Sequence, residues 1–242
     1  ATSTAVPIST TIGTASGPTI LELACNDGTQ LNHFRRMGWA TYGVDPASNL
    51  VPLARANGHT VVNALWGASR ADELTALPAT FDAILAQNVL AHVPNPVDFL
   101  QGCAARMHAK TRVYMQTSQC DMFADGQFDT VYHEHISFFS PRSFGALAER
   151  AGLKIVHWSI APIHGGSCFV TLMKTDAASD GTFAAALARE EERGQLKDAY
   201  YMRYRAQAVA ARTWLSKVVW EMQAQGHMVV GYGAAAKGMV LL

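Results

Sequence analysis

Residues 128–140 read FDTVYHEHISFFS, with Tyr132, His133, Glu134 and His135 adjacent and Phe128, Phe138 and Phe139 around them. Histidine is the side chain whose ordinary pKa suits a general base near neutrality. Such a base can remove a proton from a carbon beside a ketone if a neighbouring donor stabilises the resulting enolate. Glu134 or another partner could orient an imidazole, and Tyr132 or His92 could hydrogen-bond the developing oxyanion or a hydroxyl. If the segment is extended, neighbours alternate faces and His133 points the other way from Tyr132 and Glu134. Two other readings stand beside this one. His-x-His suits a metal, with Glu134 or His164 completing it, although no cysteine or carboxylate cluster elsewhere has ligand spacing. A solvated loop whose histidines cap and pair is the third.

A second constellation lies in LELACNDGTQL, after the first apolar run. It lacks the G-x-G-x-x-G of a dinucleotide loop, where glycines let backbone approach a pyrophosphate. That disfavours a nicotinamide oxidoreductase. It fits the S-adenosylmethionine template, an acidic residue followed by glycine-like positions at every second residue. Glu22 is the acid, Ala24 and Asn26 take glycine-like positions around Cys25, and Gly28 is the remaining glycine. Asp45, followed by Pro46, ends the second predicted strand, where a carboxylate would bind both ribose hydroxyls. Gln87 and Asn88 end the fourth strand at the same crevice. An ordinary βα turn with Asp45 as a helix cap is the plainer alternative.

The elements that would carry these residues follow from periodicity. TILELA (19–24), TYGVD (41–45), HTVV, FDAILA (strand-like to about Ala86) and TRVYMQT (111–117) read as strands. TQLNHFRRMG, SNLVPLARANG and PVDFLQGCAARMH read as helices, the first stopped by Gly38, the second capped by Ser48 or Asn49, the third starting near Pro96. This alternation predicts an α/β fold, a doubly wound parallel sheet. Beyond the histidine loop, PRSFGALAERAG is a helix and KIVHWSI and SCFVTLMK are antiparallel strands. Residues 181–226 predict two helices broken at Gly194, and the aromatics of AYYMRYR read as packing. HMVV predicts a strand opening a second α/β lobe. The expected division is a flexible leader (1–18), a catalytic domain (19–180), a helical linker (181–226) and the truncated start of a further lobe (227–242).

Composition narrows the partners. Of 242 residues, 49% are hydrophobic and 16% charged, so a large core is available. Lys+Arg and Asp+Glu both number 19, which points away from nucleic acid or an anionic membrane as partner. The four cysteines form no CxxC pair, which predicts neither a disulfide framework nor structural zinc and fits a reducing, cytoplasmic setting. No apolar run would span a bilayer, and the Ser/Thr-rich N-terminus does not read as a secretory signal.

ELACNDG, GVDP, NVLAHVPN, FDTVYHEHISFFS, PIHGGS and GYGAAAKG occur in the order found in the sugar C-methyltransferases, which this chain resembles from about residue 19 onward. The resemblance implies a class I methyltransferase (Rossmann-like) fold using S-adenosylmethionine. It implies methylation at carbon 3 of a nucleotide-linked 4-keto-deoxysugar, in deoxysugar and natural-product biosynthesis. It makes His135 the base, Tyr132 and Glu134 its active-site partners, and turns His92 toward the same pocket. His164, Gly165, Gly166 and Ser167 in PIHGGS, with Lys237 near a helix start, become candidates for the substrate's sugar or diphosphate. The chain departs from the family in lacking a cysteine-rich zinc lobe, in ending early in the C-terminal lobe, in Ala24, and in Cys168-Phe169. The same chemistry on a non-sugar intermediate, or an idle binding module on this fold, are the alternatives.

Overall fold

The computed structural model describes residues 17–117, 122–123, 126–163, 165–233, 238 and 240. Five strands, β1 (Thr19–Leu23), β2 (Ala40–Val44), β3 (Thr60–Val62), β4 (Phe81–Gln87) and β5 (Met107–Thr117), alternate with α1 (Thr29–Arg36), α2 (Val51–Ala56) and α3 (Pro96–Ala105). Then come α4 (Pro141–Arg150), β6 (Leu153–Ala161), β7 (Ser167–Lys174), α5 (Thr182–Glu192) and α6 (Asp198–Ala224).

The seven strands form one sheet in the order β3-β2-β1-β4-β5-β7-β6. β1 to β5 are mutually parallel where they pair, whereas β7 runs antiparallel to both β5 and β6. The chain works outward from β1 to β3, then returns to the other side of β1 with β4. The crevice at that reversal, beyond the carboxyl ends of the strands, is where open α/β sheets bind ligands.

Both faces of the sheet are covered, which explains the nearly continuous apolar strands. Ile20, Ala83 and Leu85 pack with Leu31, Phe34 and Ala54 on one face. Leu21, Leu23, Ile84 and Ala86 meet Phe99, Leu100 and Phe144 on the other. Phe139, Phe144, Trp158 and Phe183 continue that second core as a chain of aromatic contacts toward α5.

Helix ends follow local chemistry. Asn95 caps α3 by accepting from the Asp98 amide at 3.1 Å. Ser140 and Ser143 cap each other reciprocally at α4, with Pro141 at the first position. The expected cap of α2 is absent. Its N-cap is Leu50, without a side-chain bond, because the chain first turns through Ala47, whose carbonyl takes the Leu50 amide. Gly194, with φ 70°, separates α5 from α6. Tyr200 is the buried residue of α6, and Phe123 packs edge-on against Tyr201 and Tyr204. The strand expected at HMVV does not form. Residues 227–233 are exposed and irregular, with no neighbouring strand among the described residues to complete a ladder.

Candidate active site

The loop after β1 has a repeated backbone shape. Ala24, Asn26 and Gly28 have φ of 58°, 48° and 78°, so every second residue is left-handed. These are the positions read as glycine-like. Left-handed geometry costs a non-glycine residue roughly 1–2 kcal/mol, so something must hold Ala24 and Asn26. The Ala24 amide donates to the Val44 carbonyl at 2.8 Å and the Gly28 amide to the Cys25 carbonyl at 2.9 Å.

Asp45 supplies the remaining tie. Its Oδ2 accepts from the Asn26 amide at 2.9 Å and its Oδ1 from the Ala47 amide at 2.8 Å. Its own carbonyl accepts from Asn63 Nδ2 at 2.8 Å. The side chain is buried, so the strand-end carboxylate braces the loop from the β2 side. Glu22 is also buried, with Oε2 lacking a hydrogen-bond partner. Burial, then Asp27 and Asp45, push its carboxyl up to about 8. Cys25 turns its sulfur toward Gly43, away from the crevice, and burial pushes its thiol up to about 12.

A cleft of about 370 Å³ opens beside this loop. Ala24 and Pro46 form one wall, Ala64, Leu65 and Trp66 another, and Val89, His92 and Val93 the third. Gln87 and Asn88 sit at the end of β4 outside this lining, with the Asn88 amide tied to the Gln116 carbonyl at 2.9 Å. The walls beyond β3 escaped the sequence reading. They could have been found by following the carboxyl end of every strand at the reversal, β3 included.

His92 joins this cleft to the histidine loop. Its ring meets the His135 ring edge-on at 4.9 Å. The Ile136 and Ser137 amides both donate to the Ala91 carbonyl, at 2.8 and 3.1 Å, stitching the loop to the segment after β4. His135 is 9% exposed. Its Nδ1 lies 2.9 Å from the Thr130 carbonyl, which can only accept, so the proton sits on Nδ1. Nε2 is left with its lone pair 3.0 Å from the Tyr132 hydroxyl.

Tyr132 and His135 meet because residues 132–135 turn, the His135 amide donating to the Tyr132 carbonyl at 3.0 Å. The segment is not extended, so the alternation argument does not apply. His133 and Glu134 fall on the outside of the turn, His133 Nε2 3.9 Å from Glu134 Oε1. The two histidines of His-x-His part company, His135 buried and the His133 side chain 86% exposed. Burial, followed by the charge of Glu134, raises the Tyr132 phenol above its ordinary value, keeping it a proton donor. The Thr130 carbonyl, which orients the His135 ring, has no sequence signal because any residue carries one.

The PIHGGS turn is internally satisfied. Gly165 and Gly166 have φ of 83° and 117°, the Gly166 amide donates to the Ile163 carbonyl at 3.0 Å, and Ser167 Oγ to the same carbonyl at 2.9 Å. Ser167 is fully buried and presents no free hydroxyl surface. Gln127 Nε2 donates to the Gly165 carbonyl, tying the turn to the segment before the histidine loop. His164 and Lys237 lie outside the described residues.

A sheet ordered 3-2-1-4-5-7-6 with an antiparallel seventh strand, and a left-handed loop at its reversal, define a class I S-adenosylmethionine-dependent methyltransferase fold. A methyltransferase-domain family model matches residues 7–158, and a C-methyltransferase C-terminal-domain model matches residues 162–242. The chain belongs to the methyltransferase-domain family. It is 30% identical over 236 residues to the C-methyltransferase NovU of Streptomyces niveus, covering 96% of this chain and 56% of that protein. It is 28% identical over 160 residues to a ubiquinone biosynthesis O-methyltransferase of Bordetella parapertussis, covering 61% and 66%. The chain thus spans little more than half the length of the first of these relatives and about two thirds of the second. In fold it matches the methyltransferase in complex with the Haloferax volcanii Trm112 activator, with TM-score 0.52, 14% identity and coverage of 66% and 84%. It also matches the plantazolicin methyltransferase BamL, solved with S-adenosylhomocysteine, with TM-score 0.53, 9% identity and coverage of 66% and 78%.

The residues present fit S-adenosylmethionine, the cofactor of this family. The loop needs no phosphate cradle, its left-handed backbone brings Ala24 bare to the cleft, and the orphaned Glu22 carboxyl lies behind it. Leu65, Trp66 and Val89 offer apolar surface to a flat ring. Among the described residues no group of three or more His, Cys, Asp or Glu could hold a metal, and no helix is long and apolar enough to cross a membrane.

Proposed function

We propose that this chain carries an S-adenosylmethionine-dependent C-methyltransferase centre acting on a carbon next to a ketone, with carbon 3 of a nucleotide-linked 4-keto-deoxysugar as the substrate position. The observation that carries the reading is the His135 ring held between the Thr130 carbonyl and the Tyr132 hydroxyl, against His92 on the cleft wall. Bound in the cleft, S-adenosylmethionine would supply an electrophilic methyl group.

The protein's share is to make a carbon nucleophile. Thr130 fixes the His135 tautomer with Nε2 as the accepting nitrogen, which a general base requires. Tyr132 blocks that lone pair at rest. When a ketone enters, the Tyr132 hydroxyl turns to its oxygen and Nε2 is released toward the adjacent carbon. Proton removal then leaves an enolate whose oxygen the phenol stabilises. Glu134 acts through Tyr132, its negative charge helping to keep the phenol protonated. His92 closes the wall between base and methyl donor. The match to NovU, a C-methyltransferase, supports carbon as the methyl acceptor, and the resemblance of the FDTVYHEHISFFS and PIHGGS blocks to the sugar C-methyltransferases supports the sugar. A cleft of about 370 Å³ and the balance of 19 basic against 19 acidic residues support a small-molecule substrate. Cys25, Cys103 and Cys168 are free and buried, which supports a cytoplasmic setting.

The test is His135→Asn. Cofactor affinity should stay as in the parent, methyl transfer should fall by at least ~10²-fold, and solvent deuterium should no longer enter the substrate beside its ketone. Normal exchange in the variant would assign the base elsewhere.

A further inference from the structure

The rear of the cofactor loop rests on a histidine that the mechanism does not use. His59, in the turn between α2 and β3, is 4% exposed. Its Nε2 lies 3.1 Å from Asn32 Oδ1 on α1 and its Nδ1 lies 2.8 Å from Thr41 Oγ1 on β2. The amide oxygen can only accept, so Nε2 carries the proton and Nδ1 accepts from the threonine hydroxyl. Both ring nitrogens are satisfied in the neutral state. Burial, then the nearby Arg35 charge, lowers the ring's pKa and keeps it neutral.

This ring is the floor under Gly28. A Cβ added at Gly28 would fall 2.6 Å from His59 Cδ2 and 3.1 Å from Nε2. Gly28 is the joint between loop and helix, its amide donating to Cys25 and its carbonyl accepting from Asn32 at 3.0 Å. The same turn holds the residue before it, Asn57 Nδ2 donating to the Asp27 carbonyl at 3.2 Å. Arg35 Nη1 in turn fixes the Asn57 carbonyl at 2.9 Å. Asp45 grips Asn26 from the β2 side, and the 57–59 turn supports Asp27 and Gly28 from behind. Left-handed non-glycine residues persist only where surroundings over-determine them.

We infer that His59 is a positioning residue for the cofactor: without touching it, the imidazole fixes Gly28 and the start of α1, and so sets the shape of the loop that binds it. This rests on the loop being the S-adenosylmethionine site proposed above.

Calorimetry with S-adenosylhomocysteine on the full chain, well below the melting temperature, tests it. His59→Ala should raise Kd by about tenfold or more, the scale of releasing one strained conformation. A packing role alone would lower Tm and leave Kd of the folded protein unchanged. The contact itself is read by a double-mutant cycle. Gly28→Ala should weaken binding less in the His59→Ala background than in the parent, because the clash is gone. If His59→Ala does not fold, Thr41→Val removes the bond that orients the ring and should shift Kd the same way by about threefold, the worth of one hydrogen bond. Parent protein that binds while the variant's Kd stays within about twofold, a difference below that of one hydrogen bond, overturns the inference. Parent protein that fails to bind at all overturns the site assignment instead.

Discussion

Asp45 Oδ2 and the Asn26 amide are 2.9 Å apart across 19 residues of sequence, joining the end of β2 to the loop after β1. The carboxylate proposed to meet a ribose is therefore also the clamp on a left-handed residue, and loss of its side chain removes both. Asp45→Ala should weaken S-adenosylhomocysteine binding by about 1.5–3 kcal/mol, the worth of hydrogen bonds to a charged group. Calorimetry checks it, and unchanged affinity would remove Asp45 from the site.

Glu22 should give the fold a pH dependence. Its folded pKa of about 8 stands above the ordinary 4.5, so between those values the folded state keeps a proton that the unfolded chain has lost. Stability therefore falls as pH rises through that window, by up to about 1.4 kcal/mol per pH unit, and levels off above it. Glu22→Gln should flatten the profile. Melting temperatures from pH 5 to 9 read the difference between the two curves.

Tyr132→Phe should separate donation from proton removal. The hydroxyl lies 3.0 Å from His135 Nε2, and its loss removes the proposed oxyanion donor while leaving the proposed base in place. Turnover should drop by about 10²-fold, near the effect of losing one oxyanion contact, with cofactor binding unaltered. Steady-state rates beside calorimetry settle it.

Glu134→Gln should have a small effect by comparison. The carboxylate is 59% exposed at its side chain and acts on Tyr132 only through its charge. The phenol's titration, followed by ultraviolet absorbance, should move down, and turnover should change by less than about threefold, as for other exposed charges. A loss as large as that of His135→Asn would place Glu134 on the substrate.

Much of this was legible in the sequence because periodicity reports burial. TILELA and FDAILA announced central strands, and Pro96 and Pro141 announced helix starts. The alternation Glu22, Ala24, Asn26, Gly28 announced the loop's backbone. What escaped depends on groups or distances that residue types do not encode. The Thr130 carbonyl and the turn that brings Tyr132 to His135 belong to the backbone. Asn63 and His59 flank β3, far along the chain, Asn63 reaching the Asp45 carbonyl and His59 the space beside Gly28. Ser167 looked available beside two glycines, yet its hydroxyl closes its own turn. HMVV has strand-like residues but no partner ladder among the described residues, and strand propensity alone does not order a segment.

Ala24 and Asn26 also bear on timing. Glycine at both positions would relax the loop at no steric cost but would widen the set of shapes available to it. Alanine and asparagine narrow that set and accept a strained geometry instead. An incoming cofactor thus meets a surface with little searching left to do, since the ordering entropy was spent when the chain folded. The same stiffness should slow the loop's opening. Departure of spent cofactor then becomes a candidate slow step of the cycle, and Ala24→Gly the substitution to shorten its residence.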